Sequence, residues 1–348
     1  MSKIKNYKST KRRLYKKAQV EAQFNWIFIL IAGGLILAFF SYVVIKQKAA
    51  SEIKLAGKIT KQLNTVLTGA KVSSGATELI PISKADIRFS CNDYYIGAAS
   101  QRLGNRVVFA PEFINSDKII TWALDWNLPF KVNTFLYLTS PLTRYIVIGD
   151  SSTILTKINN SLPDTLNKDY FVDASDPNIV DEDDEYVRFI YVTPSPPSHF
   201  PSNLNKEFVS GIWISQSSVD KKMIFLKKTE SGFSASTEYA YANDPIMFGA
   251  IFSDRTETFR CVVERAYKNL NIVAQVYQKK FNELAPFYEG SACEGFYKNN
   301  QDISTLISLT NKTDYNIIQS NLGSIMQTSN LLRETNDKAE INSCPLIY

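Results

Sequence analysis

The chain has 348 residues, 45% of them hydrophobic and 12% aromatic, which leaves room for one or two folded domains and excludes long disorder. Its formal charge of +5 is uneven: residues 1–48 hold ten of the 39 Lys and Arg but one of the 34 Asp and Glu, so the remainder, with 29 basic and 33 acidic residues, is mildly acidic. The basic balance therefore belongs to a membrane flank and is no nucleic-acid footprint.

No charged residue lies between Glu21 and Lys46, and the stretch Ala22–Ile45 is almost wholly apolar. At about 1.5 Å per residue it can cross a hydrocarbon core of about 30 Å with some tilt. Trp26 and Tyr42 lie near its two ends, where amphipathic rings prefer the interface. Lys3, Lys5, Lys8, Lys11, Arg12, Arg13, Lys16 and Lys17 precede it, which predicts a cytoplasmic N-terminus and an extracytoplasmic remainder. Lys46, Lys48, Lys54, Lys58 and Lys61 follow the span but are more dispersed. A cleavable secretory signal fits poorly, since Lys48 would sit three positions before a cut after Ala50.

The residues Lys17, Ala18, Gln19 and Val20, ahead of the apolar run, resemble the class III signal of archaeal type IV pilin-like proteins. That resemblance implies processing between Ala18 and Gln19 by a prepilin peptidase. The familiar glutamate of such signals lies four residues after the glutamine, where this chain has Gln23; Glu21 is two after it. An uncut signal anchor is the alternative. The whole chain, including its ending Ser-Cys-Pro-Leu-Ile-Tyr, also resembles a family of membrane-anchored extracytoplasmic archaeal proteins, which implies a location and no activity.

Leu55, Ile59, Leu63, Val66 and Leu67 form one apolar stripe at helical spacing, so the span is expected to continue as a helical stalk over 46–69. The stripe suits packing on the ectodomain or pairing with another copy. Gly34 and Ala38 add a small-xxx-small pair inside the span.

A mixed α/β ectodomain is expected over 70–252, built as a mixed sheet with covering helices. Ile87, Phe89 and Cys91 alternate with polar residues and turn through Asn92-Asp93 into a hairpin. Residues 106–110, 132–138, 145–148, 170–172, 186–192, 208–214 and 223–226 read as strands. Ser116 is placed to cap a helix bearing Ile119, Ile120, Ala123 and Trp126, and Asp150 to cap one bearing Ile154, Leu155, Ile158 and Leu162. Pro194, Pro196, Pro197 and Pro201 mark a loop.

A helical hairpin or bundle is expected over 253–348. Phe259, Val263, Ala266, Leu270, Val273, Tyr277 and Leu284 trace a long amphipathic helix, with Lys280 at the one missing position. A second helix is expected near 292–309, and a third, capped by Thr313 or Asp314, carries Ile318, Leu322, Ile325 and Leu332.

Cys91, Cys261, Cys293 and Cys344 all follow the span, and an even count in an oxidising compartment favours two bridges. Zinc sites use cysteines two to four apart, whereas the shortest gap here is Cys261 to Cys293. About 24 helical residues would hold Cys261 and Cys293 roughly 36 Å apart, far beyond the reach of a bridge. An up-down-up run of three helices brings Cys293 to Cys344 and leaves Cys91 for Cys261; one continuous last helix would instead carry Cys344 toward Cys261.

His199, the single histidine, sits in the Pro-rich loop without a Gly-x-Ser-x-Gly elbow to supply a nucleophile. Asp181-Glu182-Asp183-Asp184-Glu185, near Asp173 and Asp176, lacks the spacing and glycine of an EF-hand and reads as a solvated acidic loop. The glycines are too scattered for a phosphate loop. Asn159-Asn160-Ser161 and Asn311-Lys312-Thr313 are glycosylation sequons. The expectation is a non-enzymatic surface or envelope protein for interaction or assembly, possessing no catalytic residue, cofactor or metal. Its partners would be membrane lipid through 22–45 and a protein partner or second copy, and no nucleic acid. An extracytoplasmic hydrolase or a solute-binding or sensing domain is the alternative.

Overall fold

The structure is a computed structural model and is described for residues 10–70, 74–150, 152–172, 179, 185–197, 208–229, 232–298, 301–312 and 314–348; for 10–25, 49, 70 and 232 the backbone alone is described. The chain divides into two compact units, Met1–Leu55 and Ala56–Tyr348.

The first unit holds most of α1 (Thr10–Ala70), a single helix of 61 residues. Its segment from Trp26 onward is long and apolar enough to cross a membrane, and the apolar window has no buried residue.

The second unit begins inside α1. There Ala56, Ile59, Leu63 and Leu67 are buried while Lys58 and Lys61 stay exposed, so the helix turns one apolar face onto its domain. Leu55, expected in that face, is 40% exposed; Ala56 takes its place one position on.

The first sheet comprises β1 (Thr77–Phe89), β2 (Asp93–Ile96), β3 (Ala99–Arg102), β4 (Val107–Phe109), β5 (Phe113–Asn127) and β6 (Lys131–Thr139), in the order β3-β2-β1-β5-β6-β4. All its pairs are antiparallel except β4 with β6. The hairpin expected at Asn92-Asp93 is β1–β2, with Ile87 opposite Ile96. β5 corrects the helix expected over 116–126. Thr121, Trp122 and Ala123 are buried in succession because β1 and β6 flank the strand and both of its faces are covered. Burial on both faces removes the alternation that marks a strand, and the apolar spacing then mimics a helix.

The second sheet comprises β7 (Thr143–Ile148), β8 (Asn167–Phe171), β9 (Tyr186–Thr193), β10 (Phe208–Ser215), β11 (Lys222–Thr229) and β12 (Gly232–Ala240), in the order β12-β11-β10-β9-β7-β8. β8, β7, β9 and β10 are parallel, and β11 and β12 return antiparallel. One expected mixed sheet is thus two. Between β7 and β8 runs α2 (Thr153–Ser161), whose cap is Ser152 rather than Asp150: its side chain accepts from the Leu155 amide.

α3 (Asp244–Phe252) was not legible by periodicity, since every residue from Ile246 to Phe252 is buried and no polar face exists. Gly249 lets this helix lie against Phe109; a Cβ there would meet the ring at 2.7 Å. α4 (Thr256–Phe287) is the expected long helix. α5 (Glu294–Lys298) and α6 (Gln301–Thr310) occupy the place of the second, and α7 (Tyr315–Ile341), capped by the Asp314 side chain on the Asn316 amide, is the third.

One large core joins a face of each sheet to α2, α3, α4, α6 and α7. A second lies between α1 and the other face of the first sheet, built from Ile59, Leu63, Leu67, Ile87, Ile114 and Leu138 among others. A third, around Phe189, Trp213 and Leu226, covers the opposite face of the second sheet.

Candidate functional site

A cleft of about 670 Å³ opens where Pro111–Phe113 of the first sheet approach the second sheet and the turn between α3 and α4. Thr143, Tyr186 and Phe208, the first residues of β7, β9 and β10, line it. It therefore lies at the amino ends of the parallel strands, opposite the carboxyl ends where open α/β sheets gather ligands. At the carboxyl ends the backbones of β7 and β9 close on each other: a Cβ on Gly149 would lie 2.3 Å from the Val192 carbonyl oxygen.

Arg188, 3% exposed, lines the cleft. Its Nε donates to the Ile251 carbonyl at 3.1 Å, Nη1 to Gly211 at 3.1 Å, and Nη2 to Ala250 at 2.8 Å and Ser253 at 2.6 Å. The guanidinium thereby meets the carbonyl end of α3, where the helix dipole favours a cation. Burial pushes its pKa down to about 10, against the pull of Asp254 and Tyr145, so it stays charged at neutral pH.

Asp254 Oδ1 accepts from the Glu112 amide at 2.9 Å. Burial pushes its carboxyl above the usual range, although that amide and Arg188 favour the ionised form. The Glu112 carboxylate is paired with Arg255 at 2.7 Å. Across the cleft, β11 contributes Lys227, which stands between Ser210 and Ser234 in the sheet register. Phe113, Phe208 and Tyr186 stack in a row, with centroids 5.4 Å and 4.9 Å apart.

The expected site residues lie elsewhere. Cys91 faces Cys261 at a Cα separation of 5.8 Å and Cys293 faces Cys344 at 5.7 Å, both at bonding distance. Beside the first pair, Arg265 donates to the Cys91 and Arg106 carbonyls and to Asn92, fastening α4 to the β1–β2 turn. Ala18 and Gln19 fall within α1, where backbone alone is described. His199, Thr313, Pro201, Asp173, Asp176 and Asp181 to Asp184 lie outside the described residues. Among the described residues no three His, Cys, Asp or Glu gather as metal ligands.

The cleft residues were missed in the sequence, yet one signal was present. Arg188 interrupts the otherwise apolar run from Tyr186 to Val192, and a cation inside a buried strand needs a built environment. Asp254, Glu112 and Lys227 carry no such mark. Compared with known protein families, with curated proteins and with solved structures, the chain matches none.

Proposed function

We propose that this protein is a membrane-anchored extracytoplasmic protein of interaction or assembly, with a pilin-like subunit as its specific form, an N-terminus on the cytoplasmic side, and no enzymatic activity. The observation that carries the reading is the continuity of α1. One helix supplies an apolar run long enough to span a bilayer and then, from Ala56 on, buries a face in its own domain. Such a helix is an anchor and a structural strut at once. Two cysteine pairs at bonding distance support an oxidising compartment for the domain. The cleft is a specific observation in favour of the second reading, solute binding.

Protease added to intact cells decides orientation: digestion of ectodomain loops with the leader spared supports it, and full protection of the ectodomain overturns it. Mass spectrometry of the membrane-extracted protein decides processing. A mature N-terminus at Gln19 supports the pilin-like form, and one at Met1 or Ser2 removes it in favour of an uncut signal anchor.

A further inference from the structure

We propose that the cleft at the amino ends of β7, β9 and β10 binds a small organic anion, with its carboxylate or phosphate set against Lys227 and Arg188 and its apolar body against Phe113, Phe208 and Tyr186. The inference goes beyond the anchoring and assembly reading and stands or falls independently of it.

The cationic side comes from two residues. Arg188 makes four hydrogen bonds, all to backbone carbonyls, and no carboxylate lies within 4.0 Å of it among the described residues. A guanidinium carries five N–H donors, so one hydrogen on Nη1 is left over. Carbonyl dipoles solvate the charge without cancelling it, and buried charges are ordinarily paired. Lys227 is exposed and has no ion pair among the described residues.

The acidic residues nearby offset this little. Glu112 and Arg255 pair with each other, and the Asp254 carboxylate is engaged by the Glu112 amide at 2.9 Å. Glu257 is exposed in the first turn of α4, beside backbone amides that Arg255 leaves without a side-chain cap. Those amides offset part of the Glu257 charge.

The apolar side is the aromatic row. Phe208 is 38% exposed in the middle of it, and Arg88 covers Phe113 from beyond at 5.8 Å. The volume of about 670 Å³ fits the range of small-ligand sites, roughly 300–1,000 Å³.

The test is calorimetric titration of the full chain in detergent micelles with four probes: benzoate, phenyl phosphate, inorganic phosphate and benzyl alcohol. Saturable binding of benzoate or phenyl phosphate is expected, at least about tenfold weaker for Lys227→Glu, as loss of a charge-assisted contact requires. Phe208→Ala should weaken the aromatic anions and leave inorganic phosphate unchanged. Both substitutions are at exposed positions, and an unchanged melting curve shows that they fold. Preference for benzoate assigns a carboxylate ligand, and preference for phenyl phosphate a phosphomonoester. Benzyl alcohol binding as tightly as the anions overturns the proposal, as does Lys227→Glu binding like the parent or the absence of saturable binding to any anion.

Discussion

The hydroxyl of Tyr94 on β2 donates to the backbone carbonyl of Thr60 on α1 at 3.0 Å, where both residues are buried. Arg106 adds bonds to Asn64 and Thr68 on the same helix, at 2.8 Å and 3.2 Å. These bonds, together with Ile59, Leu63 and Leu67, make the end of α1 part of the domain. Tyr94→Phe should cost about 1 kcal/mol, the usual net worth of a buried hydrogen bond, read by chemical denaturation of the full chain.

The same phenol sets a pH dependence. Burial raises its pKa from 10.0 to about 12, with Arg106 pulling the other way. A folded pKa above the unfolded one means that stability is complete below pH 10 and is lost as pH climbs through 12. Burial also raises Tyr137, Tyr145 and Tyr267, so the losses add. Denaturation midpoints should be level up to about pH 10 and fall steeply beyond it. Midpoints that hold steady through pH 12 would show these phenols to be more solvated than they stand here.

Leu63 is 1% exposed between α1 and the first sheet. Leu63→Ala should destabilise the domain by about 2–5 kcal/mol through lost transfer energy and a cavity. Lys58→Ala, on the exposed side of the same helix, should change stability by less than about 0.5 kcal/mol. Equal effects at the two positions would mean that the stripe is not the packing face.

A Cβ at residue 249 would overlap Phe109, which cannot retreat because Phe135, Tyr137 and Phe259 surround it. Gly249→Ala should therefore cost about 1–3 kcal/mol as overpacking, despite the higher helix propensity of alanine. Gly323 on α7 has open space around it, so Gly323→Ala should stabilise. Thermal melts of the two variants should move in opposite directions.

Cys293 and Cys344 lie 51 residues apart in sequence. In the chain-entropy model a loop of that size is worth about 4 kcal/mol. Cys344→Ser should lower the denaturation midpoint and increase hydrogen exchange first in α5 and the C-terminal tail. Tyr297 donates to the Pro345 carbonyl there and will restrain part of the tail. Peptide mapping without reductant should recover Cys293 joined to Cys344, and a Cys261–Cys344 peptide would contradict the arrangement of α4, α6 and α7.

Sequence alone determined what depends on local pattern. The uncharged run Ala22–Ile45 announced a helix long and apolar enough to cross a membrane, because both length and apolarity are read directly from consecutive residues. The β1–β2 hairpin followed from its turn residues, and α4 and α7 from apolar residues at steps of three and four. The length of α4 was enough to separate Cys261 from Cys293. Tertiary structure decided what depends on being covered from several sides. β5 and α3 lost their telltale alternation because neighbours bury every face, and the strands divided into two sheets through pairings that no local signal encodes. The cleft arose the same way: Glu112, Arg188, Lys227 and Asp254 come from four separate elements or turns, and only the fold brings them to the lining of one cleft.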